Sequence, residues 1–168
     1  MGMGPPAFSS TGPTPAGHDA VMAIYNHTGL VVTDLERSRR FYEEVLGFTL
    51  WYEIQPPDEV TGRLNCLTPP LEMTAAYLVL DGFVLELLHY AAPGAVAPYR
   101  PRTMNEPGLT HVSISVDDIR ATAERAIAYG GQIIEESDVG VALFIRDPDG
   151  QLLELLPTGY RDRLPPAP

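Results

Sequence analysis

Asp81-Gly82-Phe83-Val84-Leu85-Glu86-Leu87-Leu88 and Asp149-Gly150-Gln151-Leu152-Leu153-Glu154-Leu155-Leu156 are two copies of one segment, identical at six of eight positions. The offset between Glu86 and Glu154 is 68 residues. Each copy reads as a turn followed by a short apolar strand with one carboxylate at its centre. Upstream of each lies a β-like run that begins with histidine, His27-Thr-Gly-Leu-Val-Val and His111-Val-Ser-Ile-Ser-Val, with an offset of 84 residues. Both runs lead into an aspartate-capped helix, at Asp34-Leu35 and Asp118-Ile119. The chain is therefore an internal duplication, with one His and one Glu at equivalent places in each half.

The intervening sequence completes the plan. In the first half a strand is expected over Ala23–Val32 and a helix from Thr33 or Asp34 to Leu46, with Leu35, Phe41, Tyr42, Val45 and Leu46 as its apolar stripe and Gly47 as its stop. Strands follow at Phe48–Ile54, Thr74–Leu80 and Phe83–Tyr90, the last two joined by the Asp81-Gly82 hairpin turn. In the second half a strand at His111–Val116 precedes a helix from Asp118 to Tyr129, ended by Gly130-Gly131. Strands near Gln132–Glu136, Ala142–Arg146 and Gln151–Leu156 complete it, with Asp147-Pro148-Asp149-Gly150 as a turn. The predicted fold class is α+β, as two tandem β-α-β-β-β modules at 21–92 and 108–157 within a domain spanning 21–157. Residues 1–20, rich in Gly, Pro, Ser and Thr, read as a flexible arm, and 158–168 as a tail. The first half is 16 residues longer, and the surplus lies in Gln55–Met73, a long loop suited to a lid.

Strand alternation gives the histidines a defined environment. His27, Gly29 and Val31 share one face, as do His111, Ser113 and Ser115, whereas Leu30, Val32, Ile114 and Val116 line the opposite faces. The His faces suit a cavity. Val-Leu-Glu-Leu-Leu and Leu-Leu-Glu-Leu-Leu are apolar on both faces, which predicts burial on both sides. A carboxylate there is costly unless it is paired, protonated or bound to metal. Two His and two Glu at equivalent places form a candidate ligand set for one divalent ion among Mn, Fe, Co, Ni and Zn.

Bulk properties narrow the classes. The 168 residues, 45% hydrophobic, suit one domain or two small modules sharing a core. A net charge of −11 argues against nucleic acid as a partner. All 11 basic residues are arginines, which removes Schiff-base and lysine-base chemistry. The single cysteine, Cys66, fits a reducing cytoplasm. No apolar run approaches the about 20 residues of a membrane span, and no signal-peptide pattern is expected at the N-terminus.

The motifs Asn26-His27-Thr-Gly-Leu-Val-Val-Thr-Asp-Leu, Gly108-Leu-Thr-His111-Val-Ser-Ile-Ser-Val-Asp-Asp and Asp147-Pro-Asp-Gly-Gln-Leu-Leu-Glu154-Leu carry a resemblance. Over about residues 23–157 the chain resembles the vicinal oxygen chelate superfamily of glyoxalase I, methylmalonyl-CoA epimerase, extradiol dioxygenases and fosfomycin or bleomycin resistance proteins. The resemblance implies that each module curls into half of an open barrel, with His27, Glu86, His111 and Glu154 as metal ligands. Four protein ligands leave two positions on an octahedral ion, enough to chelate a small oxygen-rich substrate and stabilise an enolate during proton transfer.

Glu86 sits where proteins resembling the ring-cleaving dioxygenases lack a ligand, so it points to a lyase or isomerase of glyoxalase I or epimerase type. The alternatives are an antibiotic-resistance or binding protein and a ring-cleaving dioxygenase of the same superfamily. In glyoxalase-like enzymes a ligating Glu doubles as base, which makes Glu86 and Glu154 the catalytic candidates; Glu53 is a further one. Arg63, Arg100 and Arg102 could recognise an anionic substrate group. Alternation sets His89 on the face opposite Glu86, and His18 lies in the arm. Tyr52, Tyr77 and Met73 could line the cavity. The resemblance also implies a homodimer, with modules paired within or between chains.

Overall fold

A computed structural model of the chain describes residues 23–96 and 103–165. The expected arm at 1–20 and the candidates His18, Arg100 and Arg102 lie outside the described residues. Module one consists of β1 (Thr28–Val32), α1 (Leu35–Leu46), β2 (Thr49–Ile54), α2 (Asp58–Asn65), β3 (Met73–Leu80) and β4 (Phe83–Tyr90). Module two consists of β5 (His111–Val116), α3 (Ile119–Ala128), β6 (Gln132–Ile134), β7 (Leu143–Arg146) and β8 (Leu152–Pro157). Each module forms a four-stranded mixed sheet, in the orders β1-β4-β3-β2 and β5-β8-β7-β6. The first strand of each runs parallel to the last, and the other pairings are antiparallel. The expected α+β duplication is thus the observed fold.

Local chemistry accounts for the boundaries. Asp34 caps α1 by accepting from the Arg37 backbone N–H at 3.0 Å, and Asp118 caps α3 by accepting from Ala121 at 2.9 Å. Gly47 ends α1 in the left-handed conformation, φ 77°. Asp81 and Gly82, at φ 48° and 78°, form the tight turn that sets the β3–β4 register.

Three expectations need correction. The first strand begins at Thr28, not Ala23, so His27 lies just before it. The stretch ending at Glu136 stops being strand at Ile134 and turns into a short 3-10 helix at Glu135–Ser137, where the Ser137 hydroxyl donates to the Ile134 carbonyl at 2.6 Å. The Gln55–Met73 surplus is not a plain loop, because it contains α2. Asp58 pins that segment by accepting from the backbone N–H groups of Leu71 and Glu72 at 2.8 and 3.0 Å. Thr61, Leu71, Met73 and Ala75 are buried around it.

The two sheets share one core. Ala76, Leu78, Leu85 and Leu87 of module one and Leu143, Ile145, Leu153 and Leu155 of module two pack with Phe41, Tyr42 and Val45 of α1 and Ala123 and Ala126 of α3. Burial of each large apolar side chain there is worth about 1.5–3 kcal/mol. Phe41 crosses from one module to the other and packs over Gly131, where an added Cβ would stand 2.8 Å from its ring and 2.7 Å from the Arg146 carbonyl oxygen.

A polar clasp reinforces this junction. The turn at Asp147–Gly150 belongs to module two, yet its carboxylates reach into module one. Tyr42 donates to buried Asp147 at 2.9 Å. Asp149 accepts from the Thr33 hydroxyl, from Ser38 at 2.9 Å and from the Arg37 guanidinium at 2.8 Å. Burial raises the pKa of the Tyr42 phenol well above its ordinary value, and the Asp147 charge adds to that. Burial also pushes Asp147 up, against the pull of the Gln151 N–H and the Tyr42 hydroxyl. For Asp149, burial acts upward but the donors Thr33 and Ser38, with the charge of Arg37, outweigh it and hold the carboxyl below its usual range.

Two outcomes follow from this junction. Gly131→Ala should destabilise the chain by about 1–3 kcal/mol through overpacking, read from urea denaturation. Asp149→Asn should cost about 1–3 kcal/mol at neutral pH through loss of charge-assisted bonds. Because the folded Asp149 carboxyl lies below its unfolded value of about 3.9, its contribution is complete above that pH and fades as pH falls through the folded value. The gap between variant and wild type should therefore narrow in denaturation series run toward acid.

Candidate metal centre

Core packing decides which way each carboxylate points. Leu85 and Leu87 face the shared core, so Glu86 between them faces the other side of the sheet; Leu153 and Leu155 place Glu154 in the same way. Cross-strand register assembles the neighbours. Glu86 lies opposite Gly29 on β1 and Tyr77 on β3, and Glu154 lies opposite Ser113 on β5 and Phe144 on β7.

Each Glu meets the histidine of its own module. His27 Nε2 is 3.1 Å from Glu86 Oε2, and His111 Nε2 is 3.6 Å from Glu154 Oε2. The Nδ1 of His27 donates to Asn26 Oδ1 at 2.6 Å, and the Nδ1 of His111 is 2.9 Å from Thr110 Oγ1. Both rings are therefore held by the preceding side chain and present Nε2 to the carboxylate. With its proton on Nδ1, His27 aims an Nε2 lone pair at an anionic oxygen. That contact calls for a cation or a proton between the two. The spacing suits a shared ion, since ligands at about 2.1 Å from a metal and at right angles to each other stand about 3.0 Å apart. The first pair fits a divalent ion by donor type and distance, and the second by donor type.

Hydroxyls complete the two pairs. Tyr77 donates to Glu86 Oε1, and Ser113 donates to Glu154 Oε2 at 2.6 Å. Burial, with the Glu86 hydrogen bond second, pushes the Tyr77 phenol well above its ordinary pKa and keeps it a donor. Aromatic rings continue outward from it. Tyr77 stacks on Tyr52 at 4.4 Å and meets His27 edge-on at 5.7 Å, and Tyr52 meets Trp51 at 4.8 Å. In module two, Phe144 meets His111 edge-on at 5.3 Å. Sequence reasoning assigned no role to Asn26, Thr110 or Ser113 and gave Tyr77 only a lining role. The signal for Ser113 was its place on the His face; the signal for Tyr77 appears only with the β3–β4 register.

The four expected ligands come together as two pairs rather than as one group. Among the described residues no cluster of three or more His, Cys, Asp or Glu side chains is placed to hold a single ion. Each His–Glu pair lies on the side of its own sheet opposite the shared core. The expectation that β4 and β8 are buried on both sides is corrected for the same reason. Their Leu faces are buried, while the side chains of Glu86 and Glu154 keep 12% and 24% exposure.

Glu53 is also corrected. Unbroken alternation on β2 would set it opposite Ala75, on the Glu86 face. A register irregularity between Leu50 and Tyr52 makes Trp51 an extra residue, so Tyr52 faces Tyr77 and Glu53 faces Ala76 on the other side. His89 pairs with Val32 and Thr74 and lies on the face opposite Glu86, as expected. Arg63 is exposed on α2. Met73 and Tyr90 share the Glu86 face, and Asn65 of α2 donates to the Tyr90 hydroxyl at 2.9 Å, which seats the insertion at the end of that face.

No helix among the described residues is long and apolar enough to cross a membrane. Comparison with known proteins agrees with the geometry. The family model described as Glyoxalase/Bleomycin resistance protein/Dioxygenase superfamily matches residues 24–155. A lactoylglutathione lyase of Pseudomonas aeruginosa is 31% identical over 148 residues, covering 79% of this chain and 81% of its own. A lactoylglutathione lyase of Haemophilus influenzae is 32% identical over 136 residues, covering 77% and 89%. Among solved structures, a glyoxalase family protein from Bacillus cereus superposes with a TM-score of 0.68 at 22% identity, covering 83% of this chain and 97% of that one. The trypanothione-dependent glyoxalase I of Leishmania major superposes at 0.60 with 24% identity, covering 81% and 87%. With its duplicated sheets and paired His and Glu side chains, this chain belongs to the glyoxalase/bleomycin resistance protein/dioxygenase superfamily.

Proposed function

We propose that the protein is a divalent-metal-dependent lyase or isomerase of glyoxalase I or epimerase type, acting on a small oxygen-rich substrate. The observation that carries this reading is the equivalence of the two His–Glu pairs, each with a carboxylate at the centre of an otherwise apolar strand. The two relatives named lactoylglutathione lyase support it. His27, Glu86, His111 and Glu154 would hold the ion. When bound, it would supply Lewis acidity that draws charge from a substrate carbonyl oxygen.

The chain's own residues account for the rest. In this reading the Glu86 and Glu154 carboxylates take a proton from the carbon next to that carbonyl and return it to the substrate. Tyr77 and Ser113 fix their planes, and Asn26 and Thr110 fix the imidazoles. Incubation in deuterated water should place deuterium at the reacting carbon of one member of a panel of thiohemiacetals and 2-methyl-branched acyl-CoAs. Metal-loaded protein that exchanges none of them would overturn the reaction assignment. Elemental analysis should give one divalent ion per chain, largely lost in Glu86→Ala and in His111→Ala.

The complete site belongs, in this reading, to a homodimer in which His27 and Glu86 of one copy face His111 and Glu154 of the other. Two observations support it. One chain keeps its two pairs apart, and the Glu86 face of sheet one leaves Val31, Tyr52 and Ile54 at 52%, 39% and 42% exposure, an apolar surface suited to a partner. Mixing tests it. Glu86→Ala and Glu154→Ala chains, each unable to bind, should regain about a quarter of wild-type ion binding when refolded together, because a mixed two-fold dimer keeps one intact site. No recovery would place each site within a single chain.

A further inference from the structure

We propose that Tyr77 is a positioning residue that presents Glu86 to a divalent ion, and that Ser113 plays the matching part for Glu154. The inference rests on the metal reading above and extends it to residues that are not ligands.

The comparison between the two halves carries it. Each carboxylate has two flanking cross-strand positions, Gly29 and Tyr77 for Glu86, Ser113 and Phe144 for Glu154. Gly29 and Ser113 are equivalent, as are Tyr77 and Phe144. Module one has no side chain where module two has its donor. Module two has a ring without a hydroxyl where module one has its donor. Common descent of the halves explains the residues they share, but not this exchange of places. A requirement for one hydroxyl on each carboxylate does explain it.

The physical role is orientation. A carboxylate on a flexible side chain rotates about its terminal bond, and a donor on either oxygen fixes the plane of the whole group. Tyr77 is itself held, stacked on Tyr52 at 4.4 Å with an interplanar angle of 13°. It occupies Glu86 Oε1 and leaves Oε2 facing His27. Ser113 instead shares Glu154 Oε2, the oxygen that faces His111. Tyr77 therefore leaves its ligand oxygen unencumbered, whereas Ser113 competes for its own, and removing the two hydroxyls has unequal consequences.

The test uses cobalt(II) affinity of the full-length protein, measured by competition with a chromophoric chelator, together with the visible spectrum of the bound ion. Tyr77→Phe should weaken binding by about tenfold to a hundredfold, the range seen when a group behind a ligand is removed. It should also shift the cobalt bands, with the melting temperature little changed because the ring stays. Ser113→Ala should weaken binding less.

Gly29→Ser combined with Tyr77→Phe rebuilds module one on the pattern of module two. A Cβ at Gly29 would lie 3.4 Å from Glu86 Oε2, so a serine hydroxyl is within reach. This double variant should recover part of the lost affinity, because the serine steadies the carboxylate while sharing its ligand oxygen, an outcome that simple packing by the tyrosine cannot produce. Wild-type protein that binds cobalt while Tyr77→Phe binds equally well overturns this inference and leaves the metal reading intact. A double variant as weak as Tyr77→Phe alone also overturns it. Wild-type protein that binds no ion overturns both.

Discussion

The burial of Leu85 and Leu87 in one sheet, and of Leu153 and Leu155 in the other, is the constraint from which the rest of the molecule follows. Strand geometry allows no choice about the residue between two buried neighbours. Once those leucines pack against α1 and α3, Glu86 and Glu154 must stand on the far faces. A slip of one residue would drive each carboxylate into the core, where an unpaired charge costs several kcal/mol. The apolar packing that stabilises the fold thereby aims the two acids.

The same packing explains why a single chain holds its candidate ligands as two pairs. A core shared by both sheets leaves each His–Glu pair on the far side of its own sheet. The clasp of Asp147 and Asp149 onto Tyr42, Thr33, Arg37 and Ser38 ties down the end of the junction near the α1 N-terminus, and Phe41 over Gly131 ties it through the core. The clasp joins segments more than 100 residues apart. In sequence, Asp147-Pro148-Asp149-Gly150 reads only as a turn, because nothing local distinguishes a turn aspartate facing water from one reaching another module. The corresponding turn of module one shows the difference: its Asp81 is exposed and pairs with exposed Arg161.

Duplication made the architecture and the two pairs legible. A repeat compares the chain with itself, so the residues retained in both copies stand out without any second sequence. His27, Glu86, His111 and Glu154 emerge that way, as do the helix caps at Asp34 and Asp118. The features that escaped are those present in only one copy. Helix α2 has no counterpart in module two, and its Pro-flanked, weakly periodic sequence reads as loop; tertiary anchoring by Asp58 makes it a helix. The irregularity at Trp51 is also unique to module one, and it alone reverses the face of Glu53. A bulge of one residue leaves almost no trace in composition, yet every inference of side-chain direction beyond it changes sign.

The hydroxyls beside the two acids lie between these extremes, and they show what a repeat conserves. Identity between the halves marks residues whose own atoms recur at the same place: the imidazole nitrogen and the carboxylate oxygen of each pair. The donor to each carboxylate need only deliver a hydroxyl to one point in space, and two strands flank that point. The halves reach it from opposite sides, with a phenol from β3 in one and a serine from β5 in the other. Sequence comparison scores both positions as differences. Only the sheet register, which sets Tyr77 and Ser113 against equivalent acids, reveals that the two substitutions answer the same chemical need. In a duplicated fold, a pair of compensating differences can therefore indicate a shared constraint as well as an identity does, because two independent routes have met the same requirement.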